Sequence, residues 1–150
     1  MKLSAVNPES LAKPRGYSHG MKGNGDILFV AGQIGWDPTS SKPKLGKTFA
    51  AQFDQALANA VAVVRQAGGR PEDLARVTIY VSDKKEYLAA LKQAGQAWKR
   101  RVGHHYPAMT LVEVSSLLEK GAKVEIEVTA VLPEEPPPAV ASPARKPPVR

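Results

Sequence analysis

Tyr106 to Ala130 reads YPAMTLVEVSSLLEKGAKVEIEVTA, two alternating runs separated by a polar turn. Side chains on a strand point to opposite faces with period two, so each run defines an apolar face and a mixed one. In the first run Met109, Leu111 and Glu113 alternate with Thr110, Val112 and Val114. In the second, Val124, Ile126, Val128 and Ala130 share one face, and Lys123, Glu125, Glu127 and Thr129 share the other. Pro107 suits the start of a strand, where its missing N–H interrupts no ladder. The two runs are expected to form a strand pair, with the rest of the chain as scaffold around it.

Upstream, residues 1–15 hold the breaker pairs Asn7-Pro8 and Lys13-Pro14 and read as an extended arm. Tyr17 to Met21 is a short strand candidate, and Asn24-Gly25 is a hairpin-turn signal. Ile27 to Ala31 is an unbroken apolar run, which predicts a strand buried on both faces. Lys47 to Ala67 predicts a helix. Phe49, Phe53, Leu57, Val61 and Val64 form one stripe, Gln52, Gln55, Asn59 and Gln66 are its polar counterparts, and Gly68-Gly69 is the stop. Arg76 to Ser82 alternates as a strand. Asp83 and Glu86 then open a second helix with a capping-box pattern. Leu88, Leu91, Ala94, Trp98 and Val102 are its expected buried stripe, and Lys99, Arg100 and Arg101 suit its negative end. The order ββαβαββ predicts an α+β fold, a mixed sheet with two helices packed on one face.

The chain has 150 residues, long enough for a core without staples, and residues 1–132 read as one domain. Residues 133–150 are rich in proline with few large apolar groups, and are expected to be a disordered tail. The absence of cysteine excludes a disulfide framework and a cysteine nucleophile, and fits a reducing cytoplasm. No apolar run reaches the roughly 18 residues of a membrane span. The formal net charge is +7, which attracts polyanions, but no base-reading motif accompanies it, so nucleic acid is not the expected partner. No catalytic triad, phosphate loop or metal-ligand spacing is present, so neither a metal nor a cofactor is expected. His104 and His105 are adjacent and in extended backbone point opposite ways, a poor chelating arrangement.

Several motifs in order resemble the RidA family, also called the YjgF family. They are Tyr17-Ser18-His19, Phe29-Val30-Ala31-Gly32-Gln33-Ile34, Gln52 and Asn59, Ala67-Gly68, Val77 to Asp83, Pro107-Ala108-Met109-Thr110, Val112-Glu113-Val114 and Val124-Glu125-Ile126-Glu127. The resemblance spans roughly residues 5–132. It implies a chorismate-mutase-like fold and a barrel-like homotrimer with small-molecule clefts between subunits. It also implies hydrolysis of enamines and imines to ketones and ammonia. In that reading Glu125 directs the attacking water, while Tyr17, Gly32 and Gln33 line the cleft. The family's deaminases carry a carboxylate-binding arginine after Pro-Ala, where this chain has Met109.

Methionine offers no donor and no charge, so the usual 2-iminocarboxylates are not the expected substrates. Alternation leaves Glu127 open as the working carboxylate in place of Glu125. Tyr17 can bind a ligand or pack at an interface, and Met109 can wall the cleft or fill the core. Two readings of the whole remain beside the deaminase: a trimeric protein that binds a small ligand without turnover, and a ribonuclease, which the lack of a paired acid and base weakens.

Overall fold

The computed structural model describes residues 3–42 and 44–134. The elements are β1 (Ser4–Val6), β2 (Gly20–Lys22), β3 (Asp26–Ile34), α1 (Phe49–Gln66), a 3-10 turn (Pro71–Asp73), β4 (Leu74–Val81), α2 (Lys84–Ala89), α3 (Leu91–Arg101), β5 (Ala108–Glu113) and β6 (Val124–Leu132). The fold is the expected α+β class, a mixed sheet with its helices on one face. No helix among the described residues is long and apolar enough to cross a membrane. Of the expected tail, residues 135–150 lie outside the described residues.

Sequence periodicity accounts directly for α1. Thr48 caps it, its hydroxyl accepting from the Ala51 N–H at 3.1 Å. The stripe Phe49, Phe53, Leu57, Val61 and Val64 is buried, with Ala56 and Ala60 between. Each large member contributes about 1.5–3 kcal/mol through burial. Gly68 takes φ +85°, and the Gly69 and Gly68 N–H groups donate back to the Val64 and Arg65 carbonyls. That is a Schellman end, which favours glycine at the left-handed position.

Sheet order is β3-β6-β4-β5. Alternation places Val124, Ile126, Val128 and Ala130 of β6, with Val77, Ile79 and Val81 of β4, on the face that α1 and α3 cover. Four expectations change here. First, β5 and β6 are not partners: β4 lies between them, antiparallel to β6 and parallel to β5. The parallel β4–β5 step requires a crossover, which α2 and α3 supply.

Second, the arm is not wholly unpaired, since β1 pairs with β2. Third, the second helix is two, α2 and α3, joined at Ala90. The break turns Leu88 and Leu91 out of the buried stripe, leaving them 56% and 50% exposed. Fourth, β3 is covered on one face only: Ile27 and Phe29 are 61% and 78% exposed, while Val30 is buried.

Gln52 and Asn59 also depart from their expected outward role. The buried Gln52 amide donates to the Gly46 and Gly121 carbonyls at 2.9 and 3.0 Å, and its oxygen accepts from the Lys123 N–H at 2.8 Å. Asn59 donates to the Ile34 and Trp36 carbonyls at 3.1 and 2.9 Å. Both amides fasten loops to α1.

The basic end of α3 is held to α1. Arg101 meets both carboxylate oxygens of Asp54, at 3.0 and 2.8 Å, and Arg100 reaches the same group at 3.2 Å. The Arg101 hydrogen bond, ahead of the charges of Arg101 and Arg100, holds the Asp54 carboxyl below its ordinary value against the opposing effect of burial. A depressed folded-state pKa gives stability that is complete above the unfolded value, near pH 4, and is lost as pH falls through the lower folded value. Because Arg100 is exposed and Arg101 is only partly buried, solvent screening leaves the cluster worth about 1 kcal/mol. Asp54→Asn is expected to lower Tm by roughly 2–4 °C at pH 7. The deficit should shrink as pH falls below about 4, which thermal melts across pH 2–7 measure.

Candidate functional site

The centre of β3 carries an irregularity that its sequence explains. Val30 pairs with Val128 and Gln33 with Ile126, so Ala31 and Gly32 together stand opposite the single residue Glu127. Two residues opposite one is a β-bulge, a device that re-aims neighbouring side chains and recurs beside active sites. Gly32 is needed for a contact: a Cβ there would overlap the Glu125 carboxylate, which lies directly against the glycine. The Gln33 amide folds back to donate to the Ala31 carbonyl at 3.1 Å, inside the same bulge.

Glu125 and Glu127 share the open face of the sheet, opposite the helices. The Tyr80 hydroxyl donates to Glu127 Oε1 at 2.8 Å. That bond, and after it desolvation and the charges of Glu127 and Glu125, keeps the Tyr80 phenol protonated to higher pH than usual. Glu127 is thereby engaged within the sheet, while the carboxylate of Glu125 rests against backbone at Gly32. The two carboxylates that alternation left as alternatives thus stand in different environments. On the same face lie the exposed apolar side chains Ile27, Phe29 and Val112.

Tyr17 and Met109 lie elsewhere. The Ser18 N–H donates to the Pro107 carbonyl at 3.0 Å, and the Ser18 hydroxyl to the Tyr106 carbonyl at 2.7 Å. These bonds hold Tyr17 beside the start of β5, edge-on to His19 at a centroid distance of 5.4 Å. Tyr17 and Met109 line one cavity of about 450 Å³ between the helices and the sheet. Phe53, Tyr87, Trp98 and Leu111 supply much of its apolar wall, and Arg15 and Lys99 also line it. Within one chain, then, the five expected site residues form two groups: Gly32, Gln33 and Glu125 around the bulge, and Tyr17 with Met109 at the cavity.

Sequence reading gave Tyr87 no role, read Lys99 only as a charge at the helix end, and treated Trp98 as a packing residue. A signal was present for one of them. Leu91, Gly95 and Lys99 recur every four residues along α3, and all three line the cavity. His105, by contrast, has a structural place: its Nε2 lies 2.6 Å from the Leu74 carbonyl oxygen, and its own carbonyl accepts from Trp98 Nε1 at 3.0 Å.

Comparison with known proteins follows the same outline. The family model described as endoribonuclease L-PSP matches residues 8–132. A RutC family protein of Aquifex aeolicus (strain VF5) is 36% identical over 115 residues, 77% of this chain and 87% of that protein. A 2-iminobutanoate/2-iminopropanoate deaminase of Salmonella typhimurium (strain LT2) is 32% identical over 107 residues, 71% of this chain and 80% of that protein. The solved structure of YyfB from Yersinia pestis, a protein of the conserved Rid family, superposes with a TM-score of 0.76 at 32% identity. It is matched over 88% of this chain and 100% of its own.

Proposed function

The chain belongs to the endoribonuclease L-PSP family, which is the RidA or YjgF family, and on that premise we propose that it hydrolyses an imine or enamine other than the usual 2-iminocarboxylates, in clefts between subunits. Water adds its oxygen to the imine carbon, and the nitrogen gains a proton. The carbinolamine then loses ammonia and leaves a ketone, with no change of oxidation state. Glu125 takes a proton from the water and returns one to the departing nitrogen, a general acid–base role. Gln33 and Tyr17 orient the substrate, and Met109 walls the cleft. The observation that supports the reading is the division of the site residues between the β3 bulge and the cavity on the helix side of the sheet. A face bearing Ile27, Phe29 and Val112 beside Glu125 suits contact with a second copy, whose Tyr17 cavity then meets the Glu125 carboxylate.

The assembly test is direct. Light scattering at micromolar concentration is expected to give three times the chain mass, and a stable monomer there removes the shared cleft. A second reading, ligand binding without turnover, is favoured by one feature, the apolar Met109 where the family's deaminases place arginine.

Residue 109 also gives the catalytic test. Hydrolysis of 2-iminopropanoate, made in place by an amino-acid oxidase, should be at least about a hundredfold slower than in an arginine-bearing relative. A charge-assisted hydrogen bond contributes roughly 1.5–3 kcal/mol, and tenfold in rate is about 1.4 kcal/mol. A bidentate pair lies at the upper end of that range. Met109→Arg is expected to recover part of the difference. Equal rates for the wild-type chain and the relative would refute this account of the substrate.

A further inference from the structure

The cavity that holds Met109 is graded in polarity. Its deep wall is apolar: Phe53, Ile79, Ala94 and Trp98 are buried, and Met109 and Leu111 pack against them. At its rim stand two exposed cations, Arg15 and Lys99. Neither forms an ion pair among the described residues. In the last turn of α3, Lys99 lines the cavity, whereas Arg100 and Arg101 are engaged by Asp54 of α1. One turn earlier on the same stripe is Gly95, where an added Cβ would meet nothing within 4 Å. A helix interior disfavours glycine, yet this position leaves open space at the cavity wall.

We infer that Arg15 and Lys99 bind the carboxylate of a 2-imino acid whose large apolar side chain, aromatic or branched, occupies the deep wall closed by Met109. The inference rests on the imine-hydrolase reading above and names its substrate class. Relative to a site with a deep arginine, carboxylate recognition has moved to the rim and the floor has become a side-chain pocket. The volume, about 450 Å³, falls in the range of sites for drug-sized ligands, more than a methyl-bearing imine fills. Filling it with a benzyl or isobutyl group in place of methyl favours binding by about tenfold or more. Cations at the rim supply charge complementarity to the anionic end, and salt should weaken the interaction.

The test uses the full chain and two stable probes, phenylpyruvate and pyruvate, with calorimetry reading affinity and an oxidase-coupled assay reading hydrolysis of the imines of phenylalanine, leucine and alanine. Phenylpyruvate is expected to bind about tenfold or more tightly than pyruvate. Arg15→Gln with Lys99→Met should weaken phenylpyruvate about tenfold or more with an unchanged melting curve, and Lys99→Arg should retain binding. Gly95→Leu, which fills the cavity without breaking the helix, should weaken phenylpyruvate and spare pyruvate. Equal affinity for the two probes, or a folded double variant that binds phenylpyruvate as wild type does, overturns the inference. Binding as expected with no acceleration of any imine keeps the inference and removes the hydrolase reading. Acceleration that the double variant leaves intact keeps the hydrolase reading and removes the inference.

Discussion

Glu125→Gln should reduce turnover of the chain's own imine substrate by about 10²–10⁴-fold while leaving KM within a few-fold, because general acid–base assistance is worth that much and glutamine neither takes nor returns a proton. The shape of the site is kept, since glutamine matches glutamate in size. Glu127→Gln supplies the control. That carboxylate already accepts the Tyr80 hydroxyl at 2.8 Å, and an amide oxygen can accept the same bond. Its turnover is therefore expected to stay within a few-fold of wild type. Gly32→Ala tests positioning: its methyl group would displace the flexible Glu125 carboxylate, not backbone. It should lower kcat with little change in melting temperature. Steady-state kinetics of the three variants decide the matter, and a fully active Glu125→Gln enzyme would remove Glu125 from the chemistry.

Gln52→Leu is expected to cost about 3 kcal/mol of stability, or roughly 6–12 °C in Tm. The side chain is fully buried, and three hydrogen bonds end on it, from Lys123 and to Gly46 and Gly121. Leucine fills the volume but leaves the Lys123 N–H and two carbonyls short of a partner. An unmet buried group costs about 1–3 kcal/mol, with the glycine carbonyls at the lower end because both glycines are exposed. Gln52→Glu sharpens the test. At neutral pH it sets a carboxylate against two carbonyl oxygens, so its folded-state pKa rises above the unfolded value. Stability is then retained at acid pH and lost as pH climbs through the raised value, the reverse of the Asp54 behaviour. Urea unfolding at pH 4 and pH 8 distinguishes them, and equal stability of Gln52→Leu and wild type would refute the role assigned to the amide.

How much of this was legible before the structure depended on the kind of information needed. The α1 stripe from Phe49 to Val64 and the alternation of β6 were readable, because a single element's period fixes its own buried face. Pairing is a relation between elements, and an alternating strand looks the same whichever neighbour it meets. That is why β5 and β6 read as partners although β4 separates them. The run Ile27–Ala31 read as doubly buried because composition does not distinguish a face covered by the chain's own helices from one left open. Gln52 read as outward because amides are polar, and only the nearby loop ends at Gly46 and Gly121 explain its burial. No glycine or proline marks the break at Ala90. For the candidate site, Gly32, Gln33 and Glu125 came from separate motifs through the family resemblance, and they meet at one bulge. Placing Met109 at a cavity on the helix side required the register of β5 on β4, and placing Tyr17 there required the bridge between Ser18 and Ala108.

Strand order also sets a timetable for synthesis. The strand that sits between β3 and β4 is β6, the last of the described elements to leave the ribosome, and it pairs Asp26 with Leu132 across nearly the whole domain. Until it emerges, the nascent chain carries β3 and β4 with unpaired edges facing an empty slot, and β3 exposes Ile27 and Phe29 besides. Such edges template wrong partners, and contacts so distant along the chain form slowly. A chain that stops before residue 124 is therefore not a slightly shorter domain but one without its central strand, open to a neighbouring copy on either side of the gap. The risk of aggregation during synthesis is therefore expected to be greatest in the interval just before β6 is delivered.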